Sequence, residues 1–286
     1  MLPPSVRAAI ERELNTTIVK SQGVGGGCIS PNARIETKDG TRGFVKWASP
    51  GQSIPGFFEA EAFSLSRIAQ SRTIRVPRVL HATPDWLLLE WIDPGTATKE
   101  TWRLLGERLA AMHQVRAAQF GWDHDNFIGT LPQANGRLAR WAEFWVTRRL
   151  VPMFEMAAAA GHFNAEDTKQ FEQLCARAED VLSAGDADGA SLLHGDLWNG
   201  NLHITRSGEP ALIDPSSYFG HREVDLAMAE LFGGFDQDFF AAYDEAWALL
   251  ADYNIRRNYY QLYYLLVHVN IFGGGYVEGA RRCWRS

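Results

Sequence analysis

Three polar residues in the second half of the chain have the types and spacing that phosphoryl transfer to an alcohol requires. Asp196 lies in a glycine-punctuated segment, Asn201 comes five positions later, and Asp214 ends an apolar run. In such a reaction one carboxylate accepts the proton of the acceptor hydroxyl, while an Asn and a second Asp bind the metal ions that neutralise the nucleotide phosphates. The five-residue separation is that of the kinase catalytic loop H-R-D-x-x-x-x-N, with Gly195 in place of Arg. We therefore interpret Asp196 as the catalytic base, and Asn201 and Asp214 as the Mg²⁺ ligands.

A predicted hairpin explains how Asp214 returns to Asn201. The apolar segments 202–204 and 211–213 flank the turn-forming residues 206–209, which is the pattern of two antiparallel strands. Taken singly, Asp and Asn in such loops usually form turns and caps. Their joint occurrence at these offsets favours the catalytic interpretation, which requires further parts upstream.

A glycine-rich turn is the first of these upstream parts. Gly25, Gly26 and Gly27 lie between two predicted strands, and glycines let backbone amides approach phosphate oxygens closely. The motif is weak by itself, since Cys28 stands where G-x-G-x-x-G would end in Gly. Its position supports a phosphate loop, in which nearby amides would favour a reactive thiolate at Cys28. A plain buried cysteine is the alternative.

A lysine and a glutamate form the second part. Lys46 lies in the predicted strand 43–47, and the helix predicted over 55–68 follows. Kinases require such a lysine to hold the α and β phosphates and to pair with a helix glutamate. We expect Glu61 to be the partner, with Glu59 as the second choice. A lysine on a sheet edge and a solvated helix charge are the competing interpretations.

The pattern predicts an α+β fold of two lobes. Strands over 77–80 and 86–92 would complete a five-stranded antiparallel sheet with one main helix, and the breaker 93–95 follows. We therefore expect an N-terminal lobe at 1–92 and a larger, mostly helical lobe at 93–286. Glu90, Trp91 and Ile92 would form the hinge whose backbone bonds adenine, although a plain core strand explains the apolar residues here.

The larger lobe is predicted to contain six helices and a surface loop. Helical spacing occurs at 101–114, 141–159, 165–182, 223–232, 239–253 and 259–272, and 185–189 is predicted to be a surface loop.

Composition restricts the partners and the compartment. The 286 residues are 46% hydrophobic and carry a net charge of −6, which argues against nucleic-acid binding. No apolar run approaches the length of a membrane span, and no signal-peptide pattern is present. Three cysteines without metal-ligand spacing indicate a reducing compartment. We expect a cytoplasmic monomer, or a dimer through Cys28 on oxidation.

Together, these parts resemble the fructosamine-3-kinase, or ketosamine-3-kinase, family from about residue 10 to about 276. The resemblance implies a protein-kinase-like fold related to aminoglycoside phosphotransferases. It also implies ATP- and Mg²⁺-dependent phosphorylation of the C3 hydroxyl of ribulosamine, erythrulosamine or fructosamine adducts, a step of protein deglycation. The motifs that carry it are the loop ending in Cys28, Phe44-Val45-Lys46, Phe58-Glu59-Ala60-Glu61, His194-Gly195-Asp196-Leu197-Trp198-Asn199-Gly200-Asn201, Ile213-Asp214-Pro215 and the segment 218–227.

The same resemblance implies substrate-binding residues. Trp198, two positions from Asp196, would offer an aromatic wall to the sugar, while core packing is the alternative. Tyr218 and His221 would line the same cleft, and Asp225 would brace the catalytic loop. Asn199 stands where the motif usually has Ser, which leaves the choice of sugar open.

Two other functions stay open from the sequence. Aminoglycoside and choline kinases share His-Gly-Asp and the downstream Asp, but lack the Leu-Trp extension, and a strongly acidic acceptor cleft would favour them. A nucleotide-binding regulator without activity is the other. The intact set of Lys46, Asp196, Asn201 and Asp214 argues against such a regulator.

Overall fold

The structure, a computed structural model, describes residues 2–25 and 30–285. Gly26, Gly27 and Cys28 of the predicted phosphate loop therefore lie outside the described residues. The elements of the N-terminal part are α1 (Pro4–Glu13), β1 (Ile18–Gly23), β2 (Asn32–Thr37), β3 (Arg42–Trp47), α2 (Phe57–Ser71), β4 (Val79–Ala82) and β5 (Trp86–Glu90). As expected, the five strands form one antiparallel sheet, in the order β1-β2-β3-β5-β4.

Alternation along β3 gives the sheet two different faces. Successive side chains of a strand project to opposite sides. Val45 and Trp47 pack with Ile10 of α1 in a small core, while Phe44 and Lys46 line the cleft on the other side. The period of two therefore places Lys46 on the cleft side of a buried strand, away from a solvated edge.

The rest of the chain is mostly helical, with short strands between the helices. Its helices are α3 (Lys99–His113), α4 (Trp141–Trp145), α5 (Val151–Ala159), α6 (Ala165–Ala176), α7 (Ala178–Leu182), α8 (Ala184–Asp188), α9 (Glu223–Phe232), α10 (Gln237–Ala246), α11 (Tyr253–Phe272) and α12 (Val277–Arg285). Its strands are β6 (Arg116–Ala117), β7 (Asn126–Ile128), β8 (Leu131–Gln133), β9 (Ala190–Leu192), β10 (Leu202–Ile204), β11 (Pro210–Leu212) and β12 (Phe219–Gly220).

Several element bounds differ from those expected. The helix predicted over 141–159 contains a π-helical turn at Val146–Leu150. The helix predicted over 239–253 ends at Ala246, and α11 begins early, at Tyr253, after Asp252 in a left-handed conformation with φ of 62°. The predicted surface loop 185–189 is wrong, because α8 occupies it.

The described core runs through both parts of the molecule. Leu87 and Leu89 of β5 join Leu65 of α2 and the helices of the larger part in one hydrophobic cluster. This arrangement confirms the α+β, kinase-like fold, and a lobe boundary at 92/93 stays a prediction. Within residues 2–25 and 30–285, no helix is both long and apolar enough to cross a membrane.

Candidate active site

The predicted catalytic loop, residues 194–201, requires a glycine at position 195. Gly195 has φ of +84°, and a Cβ there would lie 2.1 Å from the carbonyl oxygen of Ser216. The Ser216 amide donates to the His194 carbonyl at 2.9 Å, so the loops that carry Asp196 and Asp214 are in backbone contact. The approach leaves no room for a side chain, which explains why Gly stands where protein kinases have Arg.

A buried carboxylate, Asp225, accepts hydrogen bonds from the backbone of the same loop. Asp225 of α9 accepts hydrogen bonds from the amides of His194 at 2.7 Å and Gly195 at 2.9 Å. Its Oδ2 also lies 3.1 Å from His113 Nε2, and Tyr264 donates to the Gly195 carbonyl at 2.8 Å. Asp225 thus braces the loop, as expected. Sequence reasoning missed His113 and Tyr264, which are distant in the chain and belong to no motif.

Asp196 and Asn201 face each other across the catalytic loop. Asn201 Nδ2 donates to the backbone carbonyl of Asp196 at 2.8 Å and to its Oδ2 at 2.9 Å. Burial raises the pKa of Asp196 to about 7, the Asn201 hydrogen bond acts against this shift, and the charge of Asp214 adds to it. A carboxylate whose pKa lies near neutrality suits a general base.

Asp214 is adjacent to this pair through the hairpin. The Ile213 amide donates to the Asn201 carbonyl at 3.0 Å, after β10 and β11 pair antiparallel. Asp214 has φ of 55°, a conformation that non-glycine residues rarely adopt and that is common at functional sites. The hairpin therefore brings Asp214 back beside Asn201, with β11 one residue earlier than predicted.

Lys46 connects the sheet, helix α2 and the Asp214 loop. Its Nζ lies 2.8 Å from Glu61 Oε1 and 2.6 Å from Asp214 Oδ1. Burial acts to lower the pKa of Lys46, but the charges of Asp214 and Glu61 outweigh it and raise the pKa. Burial raises the pKa of Glu61, against the effect of Lys46. Glu61, rather than Glu59, is thus the helix partner of Lys46.

The residues predicted to form the hinge, Glu90, Trp91 and Ile92, border the same cleft. The amide of Glu90 donates to the Arg78 carbonyl, and the amide of Trp91 donates to the Arg42 carbonyl. No described residue accepts from the amide of Ile92, which leaves this donor available to a base. The Ile92 carbonyl lies 3.1 Å from His203 Nε2.

The three substrate residues have different positions. Trp198 is half-buried on the cleft, and its ring lies where a Cβ on Gly200 would be. Tyr218 is fully buried, with the Arg149 guanidinium 4.0 Å from its ring centre, and burial raises its pKa to about 12. His221 is also fully buried and bonds the Tyr260 hydroxyl at 2.7 Å. The expectation that Tyr218 and His221 line the cleft is therefore corrected, because both side chains are enclosed by packed helices.

One cleft of about 390 Å³ contains the remaining groups. Gly25 of the predicted phosphate loop is at its edge, and so is the β7–β8 hairpin, which sequence reasoning did not assign to the site. The candidate residues on the cleft are Gly25, Lys46, Glu61, Glu90, Trp91, Ile92, Asp196, Trp198, Asn201 and Asp214.

The donor set suits a magnesium nucleotide. No described residue donates to Asn201 Oδ1, so this oxygen is available to a cation beside Asp214. Mg²⁺ prefers oxygen ligands and is commonly held by one or two side chains together with phosphates. Within residues 2–25 and 30–285, no cluster of three or more His, Cys, Asp or Glu could hold a metal ion.

The fold and this arrangement define a phosphotransferase of the protein-kinase-like class. A macrolide 2'-phosphotransferase type I shares the fold, with a TM-score of 0.64 over 98% of this chain and 97% of that one, at 15% identity. The chain belongs to the fructosamine kinase family, whose model matches residues 4–286.

Relatives in the family cover nearly the whole chain. A probable ketoamine kinase of Synechocystis sp. is 37% identical over 93% of this chain and 89% of its own length. A chloroplastic protein-ribulosamine 3-kinase of Arabidopsis thaliana is 35% identical over 93% of this chain and 81% of its own length. The crystal structure of a Thermobifida fusca protein assigned as a fructosamine-3-kinase has a TM-score of 0.88, with 34% identity over 99% of both chains.

Proposed function

We propose that the protein transfers the γ-phosphoryl group of ATP to the C3 hydroxyl of ketosamines, as a repair step in protein deglycation. The observation that carries the proposal is the single cleft in which Asp196, Asn201, Asp214 and Lys46 meet beside Trp198. Family membership supplies the substrate class, since relatives bear the names ketoamine kinase and protein-ribulosamine 3-kinase.

Each residue has a distinct part in the proposed reaction. Asp196 accepts the proton of the acceptor hydroxyl, for which its raised pKa is suitable. Asn201 and Asp214 would hold Mg²⁺, which neutralises phosphate charge when bound. Lys46 holds the α and β phosphates, and its ion pair with Glu61 fixes its position.

The two ends of the cleft would bind the base and the sugar. Glu90 to Ile92 present backbone groups to adenine, with the Ile92 amide as the open donor. Gly25, with Gly26 and Gly27, would cover the phosphates. Trp198 provides an apolar wall for the sugar carbons of the acceptor.

The proposal also covers the acceptor, the oligomeric state and the cellular compartment. The acceptor is a small or protein-bound ketosamine, and the enzyme acts as a cytoplasmic monomer whose Cys28 pairs with a second chain only on oxidation. The odd cysteine count supports a reducing compartment.

An acceptor panel tests the proposal. ATP turnover would be measured on ribuloselysine, erythruloselysine and fructoselysine, beside kanamycin and choline, with Asp196→Asn as the inactive control. We expect turnover on the ketosamines, with ribulose or erythrulose adducts preferred. Turnover on kanamycin or choline alone would contradict the proposal and favour the related small-molecule kinases.

A further inference from the structure

The β7–β8 hairpin lies between helix α2 and the loop that follows Asp214. Successive strand residues project to opposite faces, so Asn126 and Phe127 of β7 reach different neighbours. The ring centre of Phe127 lies 5.4 Å from that of Phe57, at the start of α2, with the rings inclined by 65°. One face of the hairpin therefore contacts the helix that carries Glu61.

The segment that leads into β7 makes a second aromatic contact with α2. The ring centre of Phe63 lies 4.5 Å from that of His124 in an edge-to-face arrangement and 5.4 Å from that of Trp122. Phe57 and Phe63 stand on either side of Glu61 in the sequence of α2. We call this set of rings the aromatic latch: Phe57, Phe63, Trp122, His124 and Phe127.

The other face of the hairpin is bonded to the metal-ligand loop. Asn126 Nδ2 donates to the Ser217 carbonyl at 2.9 Å, and Gln133 Nε2 donates to the Ser216 carbonyl at 3.2 Å. Gln133 also donates to Asn126 Oδ1 at 2.8 Å. Asn126 and Gln133 are both buried, and buried hydrogen bonds are costly to break. The loop just after Asp214 is thereby fixed to the same hairpin as α2.

We propose that this hairpin is a positioning device that sets the separation of Glu61 and Asp214 so that Lys46 contacts both. The proposal rests on the phosphate-clamp role given to Lys46 above. A lysine side chain has several rotatable bonds and loses entropy when fixed. Glu61 and Asp214, whose oxygens lie 2.8 and 2.6 Å from Nζ, restrict this freedom, and such preorganisation favours the reactive arrangement.

Phe63→Ala tests the latch without altering the cleft lining. Phe63 is 40% exposed and is not among the described residues on the cleft, so truncation removes its ring contacts and no group that lines the cleft. We expect Mg·ATP binding, measured by calorimetry, to weaken by about tenfold. The KM for the acceptor should stay within about twofold, and Phe63→Tyr should restore nucleotide affinity, because it keeps the ring.

Met156→Ala is the matched control. Met156 lies on α5, away from the cleft, and is 37% exposed. The Met156→Ala substitution removes an apolar side chain of similar exposure to Phe63 and should leave Mg·ATP affinity unchanged. Unchanged affinity in Phe63→Ala, or equal loss in both variants, would overturn the proposal.

A double variant separates positioning from direct contact. If the latch acts through Glu61, then Phe63→Ala should weaken Mg·ATP binding by less than about twofold in a Glu61→Gln background. Losses that multiply in the double variant would overturn the proposal. Calorimetry with Mg·ATP needs no acceptor, so a failure of ketosamine turnover would refute the proposed function and leave this result standing.

Discussion

At the scale of single residues, Asp196 and Asp214 are both carboxylates, but their surroundings differ. Asp196 is bonded by the neutral amide of Asn201, and burial raises its pKa. Asp214 Oδ1 lies 2.6 Å from the ammonium group of Lys46. Asp214 thus shares its charge with a cation, whereas the carboxylate of Asp196 has no cationic partner and can accept a proton during reaction. The two residues should therefore respond differently to substitution.

We expect Asp196→Asn to reduce turnover by about 10²-fold or more, because the amide cannot accept the acceptor proton. Mg·ATP binding should change little, since Asp196 does not contact Lys46. Single-turnover kinetics and calorimetry measure the two quantities separately. Near-normal turnover in the variant would remove Asp196 as the base.

Asp214→Asn should act on nucleotide binding itself. Asn tolerates the left-handed backbone of this position, so the substitution removes mainly the charge. We expect Mg·ATP affinity to fall by about tenfold or more, because both Mg²⁺ and Lys46 lose a charged partner. A Mg²⁺ titration at fixed ATP checks the cause, and behaviour equal to that of Asp196→Asn would contradict the roles assigned here.

At the scale of elements, the short helix α8 is stabilised by a buried ion pair at its C-terminal end. Asp188, at its end, lies 2.8 Å from the fully buried Arg222 and 3.1 Å from His221. Burial acts to raise the pKa of Asp188, but the hydrogen bonds and charges of His221 and Arg222 hold it at about 2. The element depends on this pairing, because its five residues are too few to form a stable helix alone.

Asp188→Asn should lower the free energy of unfolding at neutral pH by about 3 kcal/mol, because it leaves Arg222 buried without a counter-charge. A depressed pKa adds stability that is complete above the unfolded value of about 4 and lost as the pH falls towards the folded value. Urea unfolding at pH 7 and pH 5 should therefore show the same loss.

The surface pair of Arg140 and Glu179 supplies the contrast. These side chains are about half exposed and lie 3.4 Å apart, and such pairs add at most about 1 kcal/mol. Glu179→Gln should change stability by less than this amount. Equal effects of the two substitutions would show that the buried pair has no special role.

At the scale of the whole molecule, the thiols divide into two kinds. Burial raises the pKa of Cys175 to about 12 and that of Cys283 to about 11, so neither forms a thiolate readily at neutral pH. Cys28 belongs to the predicted phosphate loop, where amides would stabilise a thiolate. Its pairing with a second chain stays a prediction.

Mild oxidation should give a dimer that reductant reverses, and ATP should slow its formation, because a thiol in a loop that binds phosphates would be less accessible to a second chain. Cys28→Ala should abolish the dimer on non-reducing gels, while Cys175→Ala and Cys283→Ala should leave it unchanged. Persistence of the dimer in Cys28→Ala, or absence of any oxidised dimer, would favour the plain buried cysteine.

The sequence by itself determined the class of fold and most of the cleft. Short apolar runs and the glycine-rich turn predict the strands of the sheet, and short-range spacing predicts that Asp196 and Asn201 share a loop. The fixed order of motifs in such folds predicts that Lys46 pairs with Glu61 of the following helix. These signals are either local patterns or the order of motifs along the chain, and both kinds can be identified in the amino-acid sequence alone.

Only the tertiary structure decided which aromatic residues reach the cleft. Tyr218 and His221 lie close in sequence to Asp214, yet Arg149 and Tyr260 enclose them, and no local pattern indicates that burial. At the end of α8, Asp188 lies beside Arg222, and Phe127 of β7 meets Phe57 of α2. Such contacts join residues far apart in the chain, so their energies depend on how the helices pack and cannot be inferred from sequence spacing.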